Sequence, residues 1–189
     1  MKLMTLLIAS DIHGSARCCA ALLERIAETK PDRVLLLGDL LYHGPRNALP
    51  GEYDTKAVAE MLNTLTPAPL CVRGNCDSEV DQMMLNFPIL SDYAAICLPD
   101  GTLVYFTHGH LLDRIAPLLK NCGKHTVLLS GHTHVPDVWE EDGLTRMNPG
   151  STSIPKGGSD CSYMTMTDGV FEWHTLFDGI LWRRFCFED

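Results

Sequence analysis

The chain has 189 residues, of which 46% are hydrophobic and 21% are charged, a composition typical of a soluble globular protein and unlike that of a disordered one. This length suits a single domain over residues 1–189 that buries about 70% of its unfolded surface. The 24 acidic residues outnumber the 15 basic ones and give a net charge of −9, which repels a phosphate backbone, so we expect no stable nucleic-acid partner.

The first half of the chain alternates short apolar runs with helical patterns. We interpret the N-terminal MKLMTLLIAS as the first of three buried strands and not as a signal peptide, because it has one lysine and no A-x-A cleavage pattern follows. Ser15 is placed to cap a helix over Ala16–Thr29, and Asp54 a second over Thr55–Leu65. Between them the Gly/Pro-rich stretch Gly38–Tyr53 is long for a connection and predicts a functional loop. The predicted strands are Leu3–Ala9, Val34–Leu37 and Leu70–Val72.

From Tyr93 onward the pattern becomes richer in strands. The runs YAAICL and TLVYF around the turn PDG predict a β-hairpin. Leu111–Cys122 is expected to be helical, with Pro117 bending or delaying the helix, and Val127–Leu129 is another buried strand. The turn signals EDG, TDG and FDG predict an antiparallel C-terminal end. The elements together predict an α/β fold with two sheets, the first of them partly parallel.

The eight cysteines predict reduced thiols in a cytoplasmic protein. They form no C-x-x-C pair, several lie inside apolar runs, and a chain of this size needs no disulfide scaffold, so mostly core positions are expected. No apolar run is long enough to cross a membrane. The oligomeric state is left open, and the cluster Met83, Met84, Leu85 and Phe87 is expected to pack in the core, with a homo-oligomer interface or a substrate lid as the alternatives.

Five polar loops follow five of the apolar strands. SDIHG, GD and RGNCD follow the first three strands, THGH follows LVYF, and SGHTH follows TVLL. Because ligands bind at the carboxyl ends of strands in an open α/β sheet, these loops are expected to meet in one cleft. Their side chains supply carboxylate, amide and imidazole groups, from Asp11, His13, Asp39, Asn75, His108, His132 and His134.

This donor set predicts a site for two divalent transition-metal ions. Mixed nitrogen and oxygen ligation suits Mn, Fe, Zn or Ni better than Ca, Mg or a soft metal, and we take manganese as the first candidate. Seven ligands are too many for one tetrahedral ion, but they suit two ions about 3.5–4 Å apart that share a bridging carboxylate. Such a pair lowers the pKa of a shared water and neutralises the charge that builds on a phosphoryl group under attack.

Each of these residues also has an ordinary structural role open to it. Asp11 could cap the following helix and Asp39 could be a turn residue. Taken singly, the three histidines His108, His132 and His134 are more typical of structural histidines than of ligands. The presence of seven loop residues with matching chemistry favours the metal site.

The ordered set Asp11-x-His13, Gly38-Asp39, Gly74-Asn75, His108-Gly109 and Gly131-His132-x-His134 matches the signature of the calcineurin-like metallophosphoesterase superfamily. The chain resembles this superfamily over nearly its whole length. The stretches GPRNALP, RGNCDSEVDQM and NPGSTSIPKGG resemble the small bacterial YfcE-type phosphodiesterases in particular. The resemblance implies a four-layer αββα sandwich, in which two facing mixed β-sheets are flanked by helices.

The resemblance also implies a division of the ligands between two ions. One ion would be held by Asp11, His13, Asp39 and His134, and the other by Asp39, Asn75, His108 and His132. The carboxylate of Asp39 would therefore bridge them. A hydroxide shared by the two metals would attack phosphorus in line, without a covalent enzyme intermediate.

Four further residues are assigned to catalysis or to the substrate. Many relatives have histidine where this chain has Cys76, and a thiol with a pKa of about 8.5 is a poorer proton donor at neutral pH than a histidine near 6.5. We interpret Cys76 as a replacement for the helper that protonates the leaving group, which favours substrates whose leaving group departs without much protonation. His110, Arg46 and Asn47 are candidates for substrate contacts, with solvated loop residues as the alternative.

We therefore expect a metal-dependent phosphodiesterase that hydrolyses small or activated phosphodiesters. A phosphomonoesterase is disfavoured by the missing histidine, and a nuclease by the acidic surface. The alternative from another class is a non-catalytic protein-interaction scaffold, as in the retromer subunit that shares this fold, and the complete ligand set argues against it. A third hypothesis is a regulatory module that binds a nucleotide without turnover.

Overall fold

A computed structural model describes residues 4–99, 101–119, 122 and 126–187. The strands are β1 Thr5–Ala9, β2 Arg33–Leu36, β3 Leu70–Cys71, β4 Tyr93–Cys97, β5 Leu103–Thr107, β6 Val127–Leu129, β7 Asp137–Glu141, β8 Leu144–Asn148, β9 Ser162–Thr167, β10 Val170–Thr175 and β11 Leu181–Phe185. The helices are α1 Ala16–Thr29, α2 Thr55–Leu62, α3 Glu79–Met84 and α4 Leu112–Ile115, and a 3-10 turn, Ala116–Leu119, continues α4.

The strands form two mixed sheets. The first has six strands in the order β11-β10-β9-β1-β2-β3, in which β1, β2 and β3 are parallel and β9, β10 and β11 form an antiparallel meander. The second has five strands in the order β4-β5-β6-β8-β7, with a parallel centre and an antiparallel strand at each edge. The predicted hairpin, the three predicted turns and the partly parallel first sheet are all confirmed.

The two sheets face each other across an apolar core. Side chains of β1 alternate as a strand requires: Leu6 and Ile8 point into the layer between the sheets, and Leu7 points to the helices outside. Trp173 is fully buried in the inter-sheet layer. Its indole N–H donates to the carbonyl of Asn148 on the second sheet at 2.7 Å, so it joins the two sheets by a hydrogen bond as well as by packing.

Helices cover the outer faces. The helices α1 and α2 pack on the first sheet, and α4 with its 3-10 turn packs on the second. Ser15 and Asp54 cap α1 and α2 as predicted, accepting hydrogen bonds from the backbone N–H groups of Cys18 at 3.3 Å and Ala57 at 3.0 Å. The predicted αββα sandwich is therefore confirmed.

Two predicted helices are shorter than expected. The helix α2 ends at Leu62 instead of Leu65, because the Asn63 side chain bonds the chain around Met84 and Asn86. The predicted helix Leu111–Cys122 becomes α4 and the 3-10 turn that contains Pro117. Residues 120 and 121 of that prediction, residue 100 in the predicted hairpin turn PDG, and residue 3 of the first predicted strand lie outside the described residues.

The expectation of one packed methionine cluster is only half right. Leu85 and Phe87 are buried, but Met83 is 82% exposed and Met84 45% exposed on α3, a segment for which the sequence predicted a loop or a short helix.

The expectation that most cysteines lie in the core also fails. All eight cysteines are free, but only three of them, Cys18, Cys19 and Cys71, are buried. Within the described part of the chain, no helix is long and apolar enough to span a bilayer.

Candidate metal centre

The five predicted loops meet at one end of the sandwich, where both sheets present the carboxyl ends of their parallel strands. Loops after β1, β2 and β3 of the first sheet carry Asp11, His13, Asp39 and Asn75, and loops after β5 and β6 of the second carry His108, His132 and His134. The site therefore spans the seam between the sheets. The sequence-based prediction that these seven side chains share one cleft agrees with the geometry.

Asp11 lies at one pole of this centre. Its Oδ1 atom is 3.2 Å from Nε2 of His134 and 3.5 Å from Nε2 of His13. The two imidazole Nε2 atoms are 3.3 Å apart. A carboxylate oxygen and two imidazole nitrogens thus face a common point.

His108 lies at the other pole. Its Nε2 atom is 3.1 Å from Oδ1 of Asn75 and 3.2 Å from Nδ1 of His132. Asp39 stands between the poles, with Oδ2 3.4 Å from Nε2 of His108 and 3.7 Å from Nε2 of His13. A single carboxylate oxygen is therefore close to both groups of ligands, which is the position that a bridging carboxylate needs.

Backbone carbonyl groups orient three of the imidazole rings. The Nδ1 atoms of His13, His108 and His134 lie 2.9, 2.7 and 2.6 Å from the carbonyl oxygens of Tyr42, Leu37 and Ile154, respectively. A carbonyl oxygen can only accept, so each Nδ1 carries the proton and, in the neutral ring, Nε2 points a lone pair at the centre. His132 is reversed and presents Nδ1.

With its imidazole rings neutral, the centre therefore brings several acceptor atoms together. Asp11 Oδ1 is buried and has no hydrogen-bond donor among the described residues, and its nearest neighbours are the ring nitrogens of His13 and His134. Burying unpaired acceptors against each other is unfavourable, and a cation at their common point removes that cost. The donor set of nitrogen and oxygen atoms fits a divalent transition metal.

The charges of the centre lead to the same conclusion. Burial opposes ionisation of Asp11 and Asp39, yet neighbouring histidines hold the pKa of both carboxyl groups below the ordinary value. Burial also opposes the charge on His108, but the hydrogen bond to Asp39 and the charges of both carboxylates raise its pKa to about 9. Protons on imidazole thus balance two buried carboxylates, which is a role that metal ions can take over.

Backbone strain is concentrated at the ligands. Five of the seven have positive φ angles in the left-handed region: Asp11 58°, His13 49°, Asp39 54°, His132 68° and His134 62°. Side chains other than glycine rarely adopt this conformation, and it is typical of functional sites held by their surroundings. Here the loops brace one another, because the N–H groups of Asp11 and His13 donate to the carbonyls of Gly38 and Asp39 at 3.1 and 2.9 Å.

Two glycines of the motifs leave room for the carboxylates. A Cβ atom at position 74 would collide with the Asp39 carboxylate, and one at position 131 with the Ser10 hydroxyl and the Asp11 carboxylate. Gly74 and Gly131 precede the ligands Asn75 and His132, so the close approach of the loops explains both glycines.

Asp77 supports two of the ligand loops, a role that sequence reasoning missed. Its buried carboxylate accepts hydrogen bonds from the backbone N–H groups of Asp39 at 2.8 Å, Leu40 at 3.0 Å and Gly74 at 2.7 Å. Burial raises the pKa of Asp77, and these three donors oppose that shift. The signal was available in RGNCD, because an aspartate two residues after Asn75 can reach backbone N–H groups in its own turn.

The stretch NPGS of the sequence lies beside the centre as a supporting turn. The Ser151 hydroxyl donates to the carbonyl of Asp11 at 2.9 Å, and the Asn148 amide donates to the carbonyl of Gly131 at 2.8 Å. These bonds hold one loop from each sheet.

A cavity of about 910 Å³ opens over the centre and contains two of the predicted substrate residues, Arg46 and Asn47. The Asn47 amide already donates to the carbonyl of His43 at 2.8 Å. Two cations that sequence reasoning did not assign to the substrate, Arg73 and Lys156, also line the cavity. Three basic side chains, Arg46, Arg73 and Lys156, therefore line the cleft of an acidic protein, beside the carboxylates of Asp39 and Asp77.

His110, a candidate for substrate contact or for support of the neighbouring His108, lies beside two of the predicted ligands. Its ring centroid lies 5.4 Å from that of His108 and 6.2 Å from that of His132, and it is absent from the lining of the large cavity. Burial, together with the neighbouring His108, lowers the pKa of His110. Its position supports contact with two ligand rings more directly than contact with a substrate.

Cys76 lies at the edge of the centre. Its backbone N–H donates to Asp39 Oδ1 at 2.8 Å, and its sulfur accepts a hydrogen bond from the Asn75 amide at 3.1 Å. The sulfur also comes within 4.8 Å of ligand atoms of His13 and Asp39. Burial and the nearby Asp39 carboxylate raise the pKa of the thiol to about 12. A thiol that stays protonated at neutral pH is a poor nucleophile, in line with the interpretation of Cys76 as a helper.

Residues 4–168 match the family described as the calcineurin-like phosphoesterase superfamily domain. The chain belongs to this superfamily. Another protein with the calcineurin-like fold, phosphodiesterase YfcE of Escherichia coli strain K12, is 43% identical over 176 residues, which cover 93% of this chain and 94% of that protein. The resemblance expected from the motifs is thereby confirmed.

Solved structures support the fold. The structure of YfcE, a phosphoesterase from Escherichia coli, superimposes with a TM-score of 0.89 at 39% identity, and the match covers 97% of this chain and 99% of that one. Vacuolar protein sorting 29 from Cryptosporidium parvum shares the calcineurin-like architecture with a TM-score of 0.68 at 19% identity, covering 97% and 98% of the two chains. At that identity the likeness concerns the fold alone.

Proposed function

We propose that the protein is a metal-dependent phosphodiesterase that hydrolyses small or activated phosphodiesters. The observation that carries the proposal is the convergence of seven nitrogen and oxygen ligands from both sheets, with the buried Asp11 Oδ1 facing two imidazole nitrogens without a donor. A 43% identical protein with the name phosphodiesterase supports the reaction type. We take residues 1–189 as one domain.

The distances support the division of ligands expected from the family. Asp11, His13 and His134 would hold one ion, and Asn75, His108 and His132 the other, with Asp39 shared because its Oδ2 lies within 3.7 Å of His13 and 3.4 Å of His108. When bound, the ions supply an activated water and neutralise charge on the phosphoryl group. Manganese is our first candidate, with iron, nickel and zinc as alternatives, since all four accept this donor set.

The chain's own side chains would bind and orient the substrate. Arg46, Arg73 and Lys156 line the cavity and carry charge opposite to that of a phosphodiester. The backbone N–H of Lys156 donates to the carbonyl of His134 at 3.1 Å, which fixes the lysine next to a ligand loop. We propose a cytoplasmic location, which eight free cysteines support.

Metal removal and restoration test the proposed function. The purified protein is stripped of metal, Mn²⁺ is added back, and hydrolysis of bis-p-nitrophenyl phosphate is compared with that of p-nitrophenyl phosphate. We expect turnover to depend on the metal and to be faster on the diester. Two bound ions without turnover for any transition metal would contradict the proposal and favour a protein-interaction scaffold.

Replacing Cys76 with histidine should raise hydrolysis of the monoester relative to the diester. An imidazole with a pKa near 6.5 can protonate a leaving group at neutral pH, and a thiol whose pKa is raised to about 12 cannot. We expect the monoester-to-diester ratio of kcat/KM to rise by about a hundredfold, the low end of the contribution of general acid catalysis. Cys76→Ser is the control, because it keeps a small side chain without an imidazole. An unchanged ratio in Cys76→His would refute the role given to position 76.

A further inference from the structure

A second cavity of about 520 Å³ adjoins the cavity over the metal centre. The two cavities share Tyr42, Cys76 and Ser78 in their linings. The second one, called here the side pocket, is lined by Leu41, Tyr42, Tyr53, Thr55, Lys56, Cys76, Ser78, Val80, Asp81 and Met84. Its volume is that of a small-molecule site.

Several of the apolar side chains that line the side pocket are exposed to solvent. Val80 is 67% exposed and Met84 45% exposed on α3, and Tyr42 is exposed on the opposite loop. Single exposed apolar side chains are normal on a protein surface. Several of them clustered around a concavity are typical of a ligand-binding site. The main polar members have partners already: Ser78 and Asp81 form the capping box of α3, and the Lys56 ammonium lies 3.9 Å from Glu60.

Contacts within the protein hold the walls of the side pocket in place without a ligand. The His43 ring lies edge-on between those of Tyr42 and Tyr53, at centroid distances of 4.8 and 5.2 Å. Gly14 makes room for the Tyr53 ring, which a Cβ atom at that position would strike. On the other side, Gln82 anchors α3, since its amide N–H groups donate to the carbonyls of Leu85 at 3.1 Å and Phe87 at 2.9 Å.

Small residues stand at the junction of the two cavities. The Cys76 side chain lines both of them. A Cβ atom on Gly44 would come within 3.0 Å of the Cys76 sulfur, so the glycine and the thiol lie against each other. A substrate bound over the metal centre can extend past Cys76 into the side pocket.

We propose that the side pocket binds one ester group of the phosphodiester, and that it selects an aromatic group. The inference rests on the proposed function, because it places the phosphoryl group over the metal centre. A diester carries two alcohol-derived groups, so one can fill the side pocket while the other remains in the large cavity. Tyrosine rings and a methionine thioether favour a flat aromatic ring over a small alkyl group. The side pocket thereby supplies a reason for diester preference that does not depend on the missing proton donor at position 76.

Two slowly hydrolysed diesters of equal charge test this inference. Calorimetric titration of the Mn²⁺-loaded protein compares diphenyl phosphate with dimethyl phosphate, which have the same charge and differ in carrying aromatic rings or small alkyl groups. We expect the wild-type protein to bind diphenyl phosphate about tenfold more tightly. In Met84→Asp the ratio should fall below about threefold, because a carboxylate replaces an apolar wall of the side pocket.

Met83→Asp is the matched control. Met83 is the neighbouring residue on α3, it is 82% exposed and it is absent from the lining of the side pocket, so the same change of charge should leave the tenfold ratio intact. Met84→Gln provides a neutral variant that keeps the length of the side chain if Met84→Asp folds poorly. Equal binding of the two diesters by the wild type, or the same ratio in Met84 and Met83 variants, would overturn the inference.

Turnover of methyl p-nitrophenyl phosphate separates this inference from the proposed function. Turnover together with equal binding of the two probes would leave the phosphodiesterase proposal standing and remove the side pocket from it. Absence of turnover, together with a binding ratio of the two diesters that depends on Met84, would contradict the phosphodiesterase proposal and keep the side pocket. The side pocket would then bind aromatic phosphate esters without hydrolysis.

Discussion

Replacing Asp39 with alanine should remove both metal ions and lower kcat/KM for the diester by about a thousandfold, the scale expected when charge stabilisation of the transition state is lost. The reason is the position of Asp39 Oδ2, which lies 3.4 Å from His108 at one pole and 3.7 Å from His13 at the other. Metal content per chain, measured by inductively coupled plasma mass spectrometry after dialysis against a weak chelator, provides the direct readout.

His134→Ala is the comparison for this experiment. His134 contacts Asp11 and His13 at one pole, so its loss should weaken one site and leave the other occupied. Both variants should be compared with the wild type in the metal-free form, where similar melting temperatures show that the fold is intact. Two ions still bound to Asp39→Ala would mean that the bridging assignment is wrong.

Asp77→Ala should lower the free energy of unfolding of the metal-free protein by about 3 kcal/mol. The variant leaves three buried backbone N–H groups without an acceptor, and each costs about 1 kcal/mol or more. For a domain of this size the loss corresponds to a fall of roughly 6–12 °C in the melting temperature. Chemical unfolding in urea, monitored by tryptophan fluorescence, measures the effect without involving metal.

Asp54→Ala is the control for Asp77. The Asp54 carboxylate accepts one N–H bond, from Ala57 at the exposed start of α2, so its loss should cost about 1 kcal/mol. Asp77→Ala should also weaken metal binding, because the N–H groups it frees belong to the loops that carry Asp39 and Asn75. A stability within about 0.5 kcal/mol of the wild type would show that those N–H groups find other acceptors.

The location of the metal centre was predictable because it depends on topology. In each sheet the strands that precede the ligand loops are parallel, so their carboxyl ends must lie at one edge, and the order of the motifs in the sequence places the ligands there. The buried first strand and the helix caps at Ser15 and Asp54 follow from local chemistry, and these predictions are confirmed.

Other features depend on contacts between residues far apart in the sequence. The role of Asp77 depends on a loop 38 residues earlier, whose N–H groups it accepts. The reversed ring of His132 depends on the position of His108. The side pocket exists only because the loop with Tyr42 packs opposite α3, and the periodicity of neither segment reveals the other. The sequence does not identify Lys156 as a candidate for substrate binding, because only the fold places its loop beside His134.

The division of the ligands between two sheets links metal occupancy to the folding of the whole domain. Four of the ligands follow strands of the first sheet and three follow strands of the second, so ions that bind them cross-link the halves of the sandwich. Ions that bind the folded chain alone add a free energy of RT ln(1 + [M]/Kd) to its stability. If the proposed ions bind, the thermal stability of this protein should rise with the concentration of free metal, and chelation should destabilise the entire sandwich as well as the cleft.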